Sequence, residues 1–151
     1  KNMNLYGERC GALSVVCENA DDATRVLGQL GFGARRTYSN PPTHGCRIAT
    51  TVLRDEALRA AWLLEVRAMR DRMVQMRTAL HEALVTRAPH VDFGYLLRQR
   101  GMFSFTGLSR AQVVRLREEH ALYMLENGRL CVAGLNTGNV ERAAAAIAAV
   151  V

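Results

Sequence analysis

The strongest constraint on this chain is an unbroken helical period from Asp55 to about Arg87. Leu58, Trp62, Val66, Met69, Met73, Met76, Leu80 and Leu84 recur every three or four residues, and no proline intervenes before Pro89. Asp55 stands where its carboxylate can cap the first turn. At a rise of about 1.5 Å per residue such a helix runs roughly 50 Å, more than one small domain needs. It is therefore expected to bridge two lobes or to enter a coiled coil. The methionines on its stripe read as lobe packing rather than as a ligand surface.

The segments around it divide by period. Gly11 to Cys17 (GALSVVC) is a short apolar run between a glycine and Glu18-Asn19, which predicts a strand buried on both faces. From Asp21 the spacing lengthens, with Val26, Leu27 and Leu30 on one helical face, weakened near its end by Gly31 and Gly33. Tyr38-Ser39-Asn40-Pro41-Pro42 breaks regular structure, and Pro42 is expected to open a second helix running to about Leu53. Beyond His90 the pattern predicts strands at Phe93 to Leu97, Met102 to Phe105, Tyr123 to Leu125 and Leu130 to Ala133. A helix capped by Ser109 reaches about Glu119, and an alanine-rich helix begins at Asn139. Alternating strands and helices give an α/β class, with the lobe boundary inside the long helix.

Composition excludes several alternatives. Apolar residues make up 49% and charged residues 23% of the 151, an ordinary globular balance. No apolar run is long enough for a membrane span, and the opening KNMNLYGERC lacks the core of a signal peptide. Cys10, Cys17, Cys46 and Cys131 form no CxxC, and the histidines fall into no ligand spacing, so reduced thiols, a cytoplasmic location and no metal are expected. Of the 20 basic residues only Lys1 is a lysine. The arginines carry most of the formal charge of +6 but are spread along the chain without a block that would mark a nucleic-acid tail.

The string Lys1-Asn2-Met3-Asn4-Leu5-Tyr6-Gly7-Glu8-Arg9-Cys10-Gly11 resembles the lysine segment of the aspartate and aromatic amino-acid aminotransferases, fold-type I enzymes that use pyridoxal phosphate. The resemblance continues in register through Tyr38-Ser39-Asn40-Pro41-Pro42, Gly101-Met102-Phe103-Ser104-Phe105 and Gly128-Arg129-Leu130-Cys131-Val132-Ala133-Gly134, covering essentially the whole chain. It is closest to the bacterial aromatic (tyrosine) type, especially in Arg25 to Leu30 and in Cys131 through Asn136. Gly31-Phe32-Gly33 and Glu126-Asn127 depart from the family pattern, which bears on local stability and loop shape rather than on chemistry.

The resemblance implies a role for each matched residue. Lys1 would hold the cofactor through its amine, be displaced by the substrate amine, and carry the proton between the substrate Cα and the cofactor. Arg9 would contact the cofactor phosphate, where a guanidinium offers parallel donors. Arg129 would clamp the substrate α-carboxylate, and Arg35 would reach the distal carboxylate of a dicarboxylic substrate across a homodimer, swinging away for aromatic ones. Arg36 is adjacent, but Arg35 is favoured by its distance of three before Tyr38. Ser39 and Phe103 would lie near the substrate, Phe103 as an apolar wall.

The family's pyridine-nitrogen aspartate, its tyrosine at the cofactor's phenolic oxygen, its ring-stacking aromatic and most of its phosphate cradle have no counterpart here and are expected upstream of Lys1. Residues 1–67 would then close the large, cofactor-binding domain and 68–151 would form most of the small one. Such a piece is expected to be inactive alone.

The resulting expectation is transamination between an aromatic L-amino acid and a 2-oxo acid, 2-oxoglutarate, with aspartate aminotransferase as the alternative. Other classes compete with it. A basic α/β nucleic-acid binding module on the arginine-rich helix would show affinity falling steeply with salt. Arg54, Arg59, Arg67, Arg70, Arg72 and Arg77 are, however, interspersed with acids and apolar residues. A noncatalytic dimerisation piece would leave the Lys1 segment without purpose.

Overall fold

The computed structural model describes residues 2–151. The chain divides after Val66 into two compact units. The first contains α1 (Ala20–Thr37), α2 (His44–Arg54) and the opening turns of α3 (Glu56–Arg87). The second contains the rest of α3, the single turn α4 (Tyr95–Arg98), β1 (Phe103–Phe105), α5 (Arg110–His120), β2 (Arg129–Cys131) and α6 (Val140–Ala148).

Local chemistry explains the helix ends. Asn19 caps α1 by accepting from the Asp22 backbone N–H at 2.8 Å, while Asp21 and Asp22 at its start and Arg35 and Arg36 at its end complement the helix dipole. The helix continues through Gly31 and Gly33. Its successor begins at His44 rather than at Pro42: the Thr43 carbonyl accepts from the Arg47 N–H at 2.9 Å, so the helical ladder starts past both prolines. Asp55 has two functions: its N–H closes the last turn of α2 on the Thr51 carbonyl, and its carboxylate accepts from the Leu58 N–H at 2.9 Å to start α3. Ser109 and Gln112 complete a reciprocal capping box at the head of α5.

Only the second half of the α3 stripe is buried. Met76, Leu80 and Leu84 enter the core of the second unit, whereas Leu58 in the first unit remains 45% exposed. That core is closed by Leu96, Leu116, Val132 and Ile147, each nearly inaccessible to solvent. The apolar face of α6, Val140, Ala143, Ala144 and Ile147, covers it from the C-terminal side.

Three expected strands do not form. Gly11 to Cys17 is irregular, with Leu13 75% and Val16 99% exposed, because no described strand offers it a ladder partner. Phe93 to Leu97 becomes a turn and α4, since Phe93 and Leu96 are both buried at a helical spacing of three and the Asp92 carboxylate accepts from the Gly94 N–H. Tyr123 to Leu125 runs without a ladder: Leu125 meets the Arg129 carbonyl only at 3.4 Å and turns back through the Gly128 N–H. After Cys131 the chain tightens into a 3-10 turn at Val132–Gly134 instead of extending its strand to Ala133. The described part is mostly helical. Its strands form one antiparallel ribbon, in register Phe103↔Cys131, Ser104↔Leu130 and Phe105↔Arg129. Among the described residues no helix is long and apolar enough to cross a membrane.

Candidate active site

In the second unit the ribbon sorts its side chains by strand alternation. Ser104 and Leu130 point inward, so Phe103, Arg129 and Cys131 share the opposite face. Phe103 and Arg129 are diagonal neighbours, a placement within reach of long side chains. The Arg129 guanidinium carbon lies 4.6 Å from the Phe103 ring centroid, a cation–π contact. Both border an open groove of about 400 Å³ completed by Tyr123, Met124, Leu125 and Cys131. No carboxylate among the described residues pairs with Arg129, so its planar fork can accept an external carboxylate.

The turn before Arg129 is built for this placement. The Arg129 N–H donates to the Asn127 side-chain oxygen at 3.1 Å. Gly128 is buried at φ +81°, and a Cβ there would sit 3.0 Å from the Leu108 carbonyl oxygen, so only glycine fits without strain.

Arg77, one of the arginines interspersed with acids and apolar residues along α3, holds the other strand. Its guanidinium donates to the carbonyls of Gly101 at 2.8 Å, Phe103 at 2.7 Å and Leu96 at 3.3 Å, and to the Ser104 hydroxyl at 2.7 Å. The side chain is buried, and burial, followed by repulsion from Arg100, lowers its pKa from the usual arginine value. Gln99 adds a clamp, accepting from the Phe105 N–H at 2.9 Å and donating to the Phe105 carbonyl at 3.0 Å. The sequence did carry a signal: Met73, Arg77, Leu80 and Leu84 follow one another by four, three and four, which places Arg77 on the apolar face of α3. A second α3 arginine, Arg72, donates to the Leu135 and Ala133 carbonyls at 2.7 and 2.8 Å.

In the first unit Lys1 lies outside the described residues. Arg9 is exposed, in the left-handed backbone region at φ 51°, and no carboxylate among the described residues pairs with it. Trp62 of α3 donates from its indole Nε1 to the Asn2 carbonyl at 3.0 Å, tying this segment to the helix. Arg35 and Ser39 come together, the guanidinium donating to the hydroxyl at 2.7 Å across a backbone held at φ 66° on Ser39. Arg36 points elsewhere and stacks over the Phe32 ring at 5.5 Å. The structure thus groups Arg35 with Ser39 and Arg129 with Phe103. It also reveals a sulfur pair, Cys10 and Cys46, that residue spacing alone could not show.

Comparison with known proteins gives a consistent picture. Residues 1–147 match the family model for aminotransferase class I and II. The chain is 58% identical over 150 residues to the aromatic-amino-acid aminotransferase of Escherichia coli K12, a match that covers 99% of this chain and 38% of that protein. The aromatic amino acid aminotransferase of Psychrobacter sp. B6, crystallised with aspartic acid, shares 51% identity at a TM-score of 0.88, covering 99% of this chain and 38% of that one. The aromatic-amino-acid aminotransferase of Burkholderia pseudomallei, covalently bound to pyridoxal phosphate, also shares 51% identity, with a TM-score of 0.86 and the same coverage. The chain thus spans little more than a third of the length of these relatives.

Proposed function

Because the chain belongs to the class I and II aminotransferases, we propose that the whole protein moves an amino group between an aromatic L-amino acid, tyrosine or phenylalanine, and 2-oxoglutarate, with pyridoxal phosphate as cofactor. The observation that carries this reading is the Arg129 guanidinium, without a carboxylate partner among the described residues and laid over the Phe103 ring at the edge of a groove. A cation presented beside an aromatic wall suits an amino acid that has a carboxylate at one end and a ring at the other.

Each residue then has a task. Arg129 grips the α-carboxylate through parallel N–H donors, which fixes the direction of the substrate Cα–H bond. Phe103 sets the distance of that cation and provides an apolar wall. Arg9 fits the cofactor phosphate, since an exposed guanidinium without a carboxylate partner is suited to an anion. Lys1 would hold the cofactor through its amine and, once displaced by the substrate amine, would take the proton from the substrate Cα and deliver it to the cofactor. Bound pyridoxal phosphate supplies the electron sink for the pair left behind when that proton departs.

Arg35 accounts for the second half-reaction. Its donor now rests on the Ser39 hydroxyl, a neutral partner that a second carboxylate can replace. The same exchange would let the protein accept aspartate, which keeps aspartate aminotransferase as the second reading. Residues 1–67 are assigned to the end of the cofactor-binding domain and 68–151 to most of the small domain of a cytoplasmic homodimer.

The test uses the full-length protein. Borohydride reduction should fix the cofactor onto the Lys1 amine, and peptide mapping that finds it on another residue would overturn the assignment. Ratios of kcat/KM for phenylalanine, tyrosine and aspartate then separate the aromatic from the aspartate reading.

A further inference from the structure

The sulfurs of Cys10 and Cys46 lie 3.8 Å apart although the residues are 36 positions apart in sequence, and both residues are exposed. A second observation shows that the backbones, and not merely two long rotamers, bring them together. Gly45, the only buried residue of α2, packs so closely on the preceding segment that an added Cβ would meet the Glu8 Cβ at 2.8 Å and the Cys10 Cβ at 3.5 Å. The first turn of α2 therefore lies directly against residues 8–10. A bonded S–S distance of about 2.05 Å is then a short approach from the 3.8 Å that already separates the two sulfurs.

We infer that Cys10 and Cys46 form a dithiol site that closes to an intrachain disulfide by exchange with a low-molecular-weight disulfide of the glutathione class. One cysteine thiolate attacks a sulfur of the small disulfide, whose S–S bond breaks and releases a thiolate that takes up a proton. The other cysteine, as thiolate, attacks the protein sulfur of the mixed disulfide and expels the second small thiol. Two protein S–H bonds are replaced by one S–S bond, and one small disulfide is reduced to two thiols.

The Cys10 thiol is pushed above its ordinary pKa, chiefly by its hydrogen bond to Cys46, so exchange initiated there accelerates as pH rises. Cys10 directly follows Arg9, and the new bond would pin the Arg9 segment to the first turn of α2. On the proposed phosphate role of Arg9, and only on that role, the disulfide slows exchange of the bound cofactor.

The experiment treats the native full-length protein with oxidised glutathione, alkylates the remaining thiols and maps the peptides, with Cys10→Ser and Cys46→Ser as controls. The expected result is joint loss of Cys10 and Cys46 alkylation and a cross-linked peptide pair, absent from either variant and reversed by dithiothreitol. Both thiols remaining alkylatable, or carrying separate glutathione adducts with no cross-link, would overturn the site. Cofactor exchange is then followed in the oxidised and reduced forms. Equal rates with the cross-link in place overturn the coupling to Arg9 but leave the dithiol site standing. Failure to bind pyridoxal phosphate in either form counts against the proposed function instead.

Discussion

The buried Arg77 guanidinium donates to the Ser104 hydroxyl at 2.7 Å, and Ser104 in turn donates to the Gln99 side-chain oxygen at 2.6 Å. A cation on α3 thereby fixes the inward position of β1, and strand alternation then presents Phe103 beneath Arg129. The position of the proposed carboxylate clamp depends on a residue that does not itself line the groove beside Arg129.

Removing Arg77 should accordingly destabilise the fold more than removing any exposed arginine. Arg77→Met retains much of the aliphatic volume but removes the guanidinium that donates to the Gly101 and Phe103 carbonyls. A loss of about 3 kcal/mol in unfolding free energy is expected, the scale of losing hydrogen bonds to a charged group. Urea denaturation checks this, with Arg70→Met, an exposed arginine paired with its neighbour Asp71, expected to change little.

Gly128 should tolerate no side chain. Gly128→Ala places a Cβ in a left-handed conformation and 3.0 Å from the Leu108 oxygen, with an expected cost of about 1–2 kcal/mol. Thermal unfolding measures the cost. Because the strained turn leads directly into Arg129, KM for the amino-acid substrate should rise in the full-length enzyme as well.

Arg129→Lys keeps the charge but loses the planar fork, and truncation of a buried charge pair in a substrate complex costs about 2–5 kcal/mol. A corresponding fall in kcat/KM is expected in the full-length enzyme, and unchanged turnover would remove Arg129 from the site. Phe103→Leu should have a smaller effect, about 0.5–1 kcal/mol, as befits an exposed cation–π contact.

Tyr95 gives a pH signature. Burial, reinforced by the Asp92 carboxylate, pushes its phenol up to about 12. The folded state therefore favours the protonated form, so this contribution is complete below the unfolded phenol pKa of about 10 and disappears as pH rises toward 12. Stability curves of the native chain and of Tyr95→Phe should differ in slope across this alkaline window and run parallel at neutral pH. Parallel curves throughout would contradict the shift.

Local signals made much of the helical framework legible. α3 could be placed almost to the residue because its period, its Asp55 cap and Pro89 all act within a few positions along the chain. The Ser109 cap and the break at Pro41-Pro42 were readable for the same reason. Lys1, Arg9, Arg35, Ser39, Phe103 and Arg129 stood out only as motifs in register. The motifs identified residues to watch but gave no geometry for any of them.

Tertiary structure decided whatever depends on a partner distant in sequence. An apolar run becomes a strand only if another strand meets it, which is why Phe103 to Phe105 pairs with β2 while Gly11 to Cys17 remains irregular among the described residues. The same condition placed Arg129 over Phe103, gave the buried Arg77 its ring of carbonyls, and brought the sulfurs of Cys10 and Cys46 together. Periodicity reports which face of an element is apolar, but the atoms that finally occupy that face come from elsewhere in the chain.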